Sequence, residues 1–170
     1  MEMLLKIWVL RIISFVSIVP LFLHAHTSSK DYLKIHNDAR AEVGVEPLKW
    51  DSELERYAHK FVKQHVADCR KALTDESFSG KYGQNIAYSS ASTTGIGGVN
   101  LWVSQKKNYN YNSNSCFDGS MTCFTYVEIV WETITSVACD EINCHDYGGT
   151  LVTCLYYPIR DFSKRPFIIH

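Results

Sequence analysis

Polar positions in the middle of this chain carry neutral side chains at points where acid–base chemistry or metal binding would need ionisable ones. Gln84 precedes a stretch, residues 100–131, that is dense in aromatic residues, Asn and Cys and that includes Gln105 and Thr125. Amides and hydroxyls form hydrogen bonds, but alone they neither transfer protons near neutral pH nor complete a metal site. These residues therefore predict a polar cleft that keeps its shape and lacks catalytic or metal-binding groups.

The histidines are the other candidates for chemistry. His36 precedes Arg40 on a predicted helix and is either a ligand or a partly buried, hydrogen-bonded side chain; we favour the second interpretation. His59 and His65 lie six residues apart, a spacing that does not place two ligands on one helix face. His145 is predicted to lie in a solvated loop. No serine sits in a nucleophile elbow, so no hydrolase is predicted.

The N-terminal residues are typical of a secretory signal peptide. An apolar run, Ile12 to Leu23, follows Lys6 and Arg11, and Ala25 provides a small residue for cleavage. The run is short for a membrane span, although a signal anchor is the alternative. We predict a secreted chain whose mature part, 26–170, is one domain without linkers or repeats. The formal net charge of −1 predicts no nucleic-acid partner.

All six cysteines follow this leader. An even count in an exported chain predicts three disulfides, and the spacing alone leaves 15 pairings open. A zinc site around Cys139, Cys144 and His145 is the weaker alternative, because an oxidising compartment competes for the thiolates. The cysteines are Cys69, Cys116, Cys123, Cys139, Cys144 and Cys154.

Four helices are predicted to position these residues. Ser28 or Ser29 can cap the first helix, and Gly44 ends it. Asp51 begins a second helix whose apolar residues recur at helical spacing toward Cys69. Shorter helices are predicted around residues 99–103 and 126–131.

Extended segments alternate with these helices. Residues 85–88 form a short extended candidate, and residues 137–142 and 150–157 predict two strands joined by a turn at Gly148 and Gly149. Helices combined with a small antiparallel sheet predict an α+β layered domain.

Several motifs are spread along the mature chain. They are His36-Asn37-Asp38-Ala39-Arg40, Asn100-Leu101-Trp102-Val103-Ser104, the run from Tyr109 to Cys116, then Cys123 and Val130-Trp131. Together they resemble the plant group 1 pathogenesis-related proteins, which belong to the superfamily shared with cysteine-rich secretory proteins and venom antigen-5 allergens. The resemblance covers almost the whole mature chain, and the Tyr- and Asn-rich run before Cys116 matches the plant branch.

This resemblance implies a three-layer α-β-α sandwich with a small antiparallel sheet and three disulfides. Carried onto this chain, the family's disulfide pattern pairs Cys69 with Cys144, Cys116 with Cys123 and Cys139 with Cys154. Every cysteine would then have a partner and none would remain as a nucleophile, so we predict that the protein is not an enzyme.

The family's cleft usually carries two histidines and two glutamates that can hold a divalent metal. Here Gln84 and Gln105 stand at the glutamate positions and Thr125 at one histidine position. The other histidine aligns with Leu73 or Ser77. The degenerate cleft formed by Ser77, Gln84, Gln105 and Thr125 is therefore predicted to hold no metal or other cofactor.

Glu128 stands where the family commonly has Gln, one helical turn from Thr125. A new acidic function for this residue is the alternative to a purely vestigial cleft. A single carboxylate lacks the convergent partners that a site needs, so we favour the vestigial interpretation.

An aromatic cluster and the C-terminus give two further hypotheses. Trp102, Tyr109, Tyr111 and Phe117 correspond to an aromatic loop proposed to bind sterols in some relatives; packing onto the sheet is the alternative. In plant relatives a signalling peptide is thought to leave the C-terminus. The corresponding cleavage would fall between Tyr157 and Pro158, although Arg160-Asp161 replaces the usual Gly-Asn.

The sequence as a whole predicts a monomeric, non-enzymatic defence protein secreted to the apoplast. Its predicted partners are a sterol or other lipid, a pathogen surface or a host receptor. Two alternatives are a lipid-binding protein that acts on pathogen membranes and a precursor of a C-terminal signalling peptide.

Overall fold

The computed structural model describes residues 27–90, 94–145 and 148–168, so the predicted leader and its cleavage point near Ala25 lie outside the described residues. No helix within these ranges is long and apolar enough to cross a membrane. The helices are α1 (Ser29–Ala41), α2 (Ser52–His65), α3 (Gly95–Ser104) and α4 (Phe124–Ile129). The strands are β1 (Lys49–Trp50), β2 (Gly83–Ser89), β3 (Tyr109–Asn110), β4 (Ser115–Cys116), β5 (Ser136–Asn143) and β6 (Thr150–Tyr157). Short 3-10 helical segments cover Cys69–Thr74 and Gln105–Asn108.

The two long helices begin where the sequence predicts. The Ser28 hydroxyl accepts from the Asp31 amide at 3.3 Å, and the Asp31 carboxylate accepts from the Ser28 amide at 3.2 Å, which forms a capping box. The Asp51 carboxylate caps α2 by accepting from the amides of Glu53 and Leu54. Helix α2 ends earlier than predicted, at His65, and Cys69 begins the 3-10 segment instead.

The central sheet has the strand order β1-β5-β6-β2. Strands β5 and β6 are antiparallel over their whole length, and β2 pairs antiparallel with the other edge of β6. The turn between β5 and β6 places Gly148 and Gly149 at φ values of 69° and 90°, which glycine adopts without a Cβ clash. The predicted turn is therefore confirmed. The parallel pairing of β1 with β5 and the small β3–β4 hairpin were not predicted.

Helices cover both faces of this sheet. On one face, Leu54 and Ala58 of α2 pack against Ala138 and Leu155. On the other face, side chains of α1, α3 and α4 form the main core with alternate residues of β5 and β6. Strand β6 is buried on both faces except at Tyr157, as expected of a strand between two helical layers. The predicted α-β-α sandwich is confirmed.

The three disulfides implied by the family resemblance are present. Their Cα–Cα distances are 5.9 Å for Cys69–Cys144, 5.6 Å for Cys116–Cys123 and 4.0 Å for Cys139–Cys154. Cys139 and Cys154 face each other directly across β5 and β6. Because Cys139 and Cys144 are both in disulfides, neither can serve as a thiolate ligand in the alternative zinc site.

Arg40 joins α1 to the chain that follows α4. Its guanidinium is almost fully buried and donates to three buried carbonyls, those of Ile129 and Trp131 at 2.9 Å and of Ile134 at 3.0 Å. Its Nε also donates to the Glu46 carbonyl at 2.6 Å. Burial lowers the pKa of Arg40 to about 10, so the group stays charged at neutral pH.

His36 is a structural residue of this core. Its Nδ1 lies 2.7 Å from the Tyr32 carbonyl, and its Nε2 lies 3.0 Å from the Tyr156 hydroxyl. Burial lowers its pKa to about 4. In the described part of the chain, His36, Cys139 and Cys154 are the only three potential metal ligands found close together. Both of these cysteines are consumed by their mutual disulfide.

Candidate functional site

A cleft of about 470 Å³ lies between α4, the start of β2 and the C-terminal tail. We call it the α4 cleft. Its polar lining includes Gln84, Glu128 and Arg160, and its mouth carries the acidic residues Asp75 and Glu76. The remaining lining residues are Phe78, Ser79, Gly80, Tyr82, Gly83, Ile159 and Phe162.

Glu128 is the most perturbed group in the α4 cleft. It is 4% exposed, and its Oε2 forms an ion pair with Arg160 Nε at 2.9 Å. Its Oε1 is buried and has no hydrogen-bond partner among the described residues. Burial raises the pKa of Glu128 to about 7, although the positive charge of Arg160 acts in the opposite direction.

Arg160 lies among aromatic side chains. Its guanidinium carbon is 4.5 Å from the ring centroid of Phe162, 5.2 Å from that of Phe124 and 5.9 Å from that of Trp131. Such contacts stabilise a guanidinium that is only partly hydrated. Its side chain is 13% exposed, and burial lowers its pKa. The sequence identified Arg160 only as a departure in the tail, and its pairing with Glu128 was missed.

Gly83 leaves the space that the Glu128 carboxyl occupies. A Cβ built at Gly83 would overlap Glu128 Oε1 and crowd Tyr156. The glycine is therefore needed for close approach rather than for a turn. Because Gly83 and Tyr156 face each other across β2 and β6, the sheet itself fixes where the carboxyl can lie.

The four degenerate positions of the sequence analysis occupy different places. Gln84 lines the α4 cleft, and its Nε2 donates to Thr153 Oγ1 at 3.1 Å. Ser77 is exposed and bonds to Asp75 at the cleft mouth. Gln105 and Thr125 are not among the residues that line the cleft.

Gln105 and Thr125 instead form local hydrogen bonds. Gln105 Oε1 accepts from Asn108 Nδ2 at 2.8 Å, and Thr125 Oγ1 donates to the Thr122 carbonyl at 2.8 Å. The Thr125 carbonyl accepts from Asn85 Nδ2 at 2.8 Å, which ties α4 to β2. Leu73, the other candidate for the fourth position, is 52% exposed.

Comparison with known proteins identifies the family. The model of the cysteine-rich secretory protein family, CAP, matches residues 33–156. The chain belongs to the CAP family. Over 148 residues it is 36% identical to pathogenesis-related protein 1 of Arabidopsis thaliana, covering 87% of this chain and 86% of that protein.

Two further relatives support the same assignment. Pathogenesis-related protein 1C of Nicotiana tabacum is 40% identical over 136 residues, which cover 79% of this chain and 77% of that protein. The structure of venom allergen-like protein 4 of Schistosoma mansoni superposes with a TM-score of 0.64 at 25% identity. That match covers 85% of this chain and 97% of the other. The family resemblance predicted from the motifs is confirmed.

The side chains of the α4 cleft do not fit a divalent metal. Zinc prefers thiolate or imidazole donors, and none lines this CAP cleft. The one buried carboxylate is already paired with a guanidinium, whose charge would oppose a cation. Among the described residues, Glu128 belongs to no cluster of three or more potential metal ligands.

The four aromatic residues considered for lipid contact do not share one surface. Trp102 and Tyr109 are buried in the main core. Tyr111 packs on Phe167 with ring centroids 5.1 Å apart, and Phe117 is 69% exposed. Sterol binding through these residues stays a prediction, with Phe117 as its exposed member.

The segment after Tyr157 is held to the rest of the CAP domain by several contacts. The Pro166 carbonyl accepts from the Glu132 amide at 2.6 Å, and the Phe167 carbonyl accepts from the Tyr111 hydroxyl at 2.6 Å. With the Arg160–Glu128 pair, these bonds would retain the tail after a cut between Tyr157 and Pro158. Peptide release at that bond stays a prediction.

Glu128 should make stability depend on pH. Its pKa is raised from 4.5 to about 7, so the folded chain binds this proton more tightly than the unfolded chain does. The resulting stabilisation is fully present below about pH 4.5 and is lost as the pH rises through about 7. We expect the free energy of unfolding of the wild type, minus that of Glu128→Gln, to fall by about 3 kcal/mol over this window.

Urea unfolding of both proteins between about pH 4.5 and about pH 8 measures this difference. His36 has a lowered pKa and shifts stability in the opposite direction, but it is common to both proteins and cancels in the comparison. A difference that stays constant with pH would contradict the assignment.

Proposed function

We propose that this CAP protein is a secreted, non-enzymatic plant defence protein whose cleft works without a divalent metal. Its similarity to pathogenesis-related proteins of Arabidopsis and tobacco over most of the chain supports the defence role. The three disulfides suit the oxidising environment outside the cell.

The main support for a metal-free cleft is the ion pair between Glu128 and Arg160. This pair engages the one deeply buried carboxylate of the α4 cleft and places a fixed positive charge next to that carboxylate. A metal ion would have to displace the guanidinium and would still lack imidazole or thiolate donors. The cleft therefore recognises its target by shape and hydrogen bonding rather than by a metal.

Calorimetric titration with zinc tests this proposal. We expect no stoichiometric binding by the wild type, because the part of the chain that the structure describes has no cluster of three metal ligands at Glu128. His59→Ala is the control, since His59 is 56% exposed outside the α4 cleft and could bind zinc weakly at the surface. Tight one-to-one binding that persists in His59→Ala would overturn the metal-free proposal.

The defence role is tested by the growth of a filamentous plant pathogen exposed to the purified protein. We expect growth to be slowed to the same extent with and without EDTA, because chelation removes nothing that the protein needs. An unchanged growth rate would contradict the defence role, and inhibition that EDTA abolishes would show that a metal is required.

A further inference from the structure

The α4 cleft is lined by hydrogen-bonding groups of both kinds. Gln84, Asp75 and Glu76 supply acceptor oxygens. Arg160 uses its Nε for Glu128, and its two terminal Nη groups are further donors of the guanidinium. A matching ligand must both donate and accept hydrogen bonds.

The charges around the cleft favour a neutral ligand. Glu128 and Arg160 compensate each other inside the cleft, and Gln84 beside them carries no charge. An anionic ligand would meet Asp75 and Glu76 at the mouth, and hydrogen bonds from Ser77 lower the pKa of Asp75 and keep it ionised. A cationic ligand would meet the Nη groups of Arg160. Neutral hydroxyl groups avoid both penalties.

Aromatic side chains complete the lining. Phe78 and Tyr82 pack against each other with ring centroids 5.8 Å apart, and both line the cleft. Phe162 stacks on the Arg160 guanidinium and is still 70% exposed. A large exposed ring beside a polar cleft provides an apolar surface for a ligand that has C–H faces as well as hydroxyls.

We propose that the α4 cleft is a binding site for a short neutral glycan. Sugar hydroxyls would accept hydrogen bonds from the Arg160 guanidinium and donate to the Gln84 amide oxygen, while the C–H face of a ring lies on Phe162. The cleft volume of about 470 Å³ is sufficient for one or two sugar rings. The inference rests on the proposed function, because a metal bound in the cleft would fill the same space.

The test is a calorimetric titration of the full mature protein with two neutral tetrasaccharides, one of β-1,3-linked glucose and one of β-1,4-linked N-acetylglucosamine. EDTA is present throughout, so that failure to bind sugar is distinct from the zinc result. We expect one-to-one binding of at least one sugar. Phe162→Ala should weaken it about tenfold, which corresponds to about 1.4 kcal/mol.

Phe117→Ala is the matched control, because Phe117 is equally exposed but does not line the cleft. It should leave binding unchanged. Arg160→Lys keeps the positive charge opposite Glu128 but removes the planar guanidinium and its fixed donors, so this variant should also bind the sugar more weakly. Absence of binding to both sugars, or equal losses in Phe162→Ala and Phe117→Ala, would overturn the proposal.

Discussion

Replacing Arg40 by methionine should lower the free energy of unfolding by about 4 kcal/mol. Methionine fills much of the volume of the arginine stem but donates no hydrogen bonds. The carbonyls of Ile129 and Ile134 would lose the donor that Arg40 supplies, at about 1–3 kcal/mol each before relaxation, whereas the Trp131 carbonyl keeps the bond from the Ile134 amide. Loss of the desolvation penalty of the buried guanidinium offsets part of this effect.

Urea unfolding followed by tryptophan fluorescence measures the change in stability. Arg56→Met is the control, because Arg56 lies on α2 with its side chain 72% exposed. A surface substitution of this kind should change stability by no more than about 0.5 kcal/mol. If Arg40→Met differs from the wild type by less than about 1 kcal/mol, the hydrogen bonds of Arg40 do not hold α1 to the segment after α4.

Removing the Cys69–Cys144 disulfide by substituting alanine at both positions should cost about 4 kcal/mol. The two cysteines are 75 residues apart, so the bond restricts a long loop of the unfolded chain. They also lie in a small core with Phe61, Val62 and Leu151, and the substitution would leave a cavity there. Both effects act in the same direction.

Removing Cys116–Cys123 in the same way gives a matched comparison. Its loop spans only 7 residues, and the chain-entropy relation gives about 2 kcal/mol. Removing Cys69–Cys144 should therefore lower the free energy of unfolding by about 2 kcal/mol more than removing Cys116–Cys123. Each free energy is obtained from the midpoint and the slope of urea unfolding. The opposite order would show that local geometry, rather than loop length, decides the contribution of each disulfide.

The sequence was sufficient to predict the elements whose signals are local. The caps at Ser28 and Asp51, the glycine turn at Gly148 and Gly149, and the alternation of strands with helices depend on neighbouring residues. Element ends were less predictable, because Trp131 continues the apolar pattern of α4 although the helix stops at Ile129.

The contacts that shape the candidate site could not be predicted, because they join residues far apart in the chain. Glu128 was recognised as unusual, but nothing near it in sequence indicated Arg160 as its partner. The place of Gln105 and Thr125 likewise depends on how α3 and α4 pack. One signal was available: both Glu128 and Arg160 depart from the family pattern, and their opposite charges could have suggested a pair.

The position of β6 sets the order in which the molecule can be assembled during synthesis. This strand lies between β5 and β2 in the sheet yet is translated after both of them. Among the described strands, β2 pairs only with β6, so it stays unpaired until β6 has left the ribosome. Cys116 and Cys123 can join early, whereas Cys69 waits for Cys144 and Cys139 waits for Cys154. A chain truncated just before β6 would thus retain one unpaired cysteine, Cys139, and a chain truncated before Cys144 would retain two, Cys69 and Cys139. Either chain would be a substrate for thiol-dependent retention in the secretory pathway.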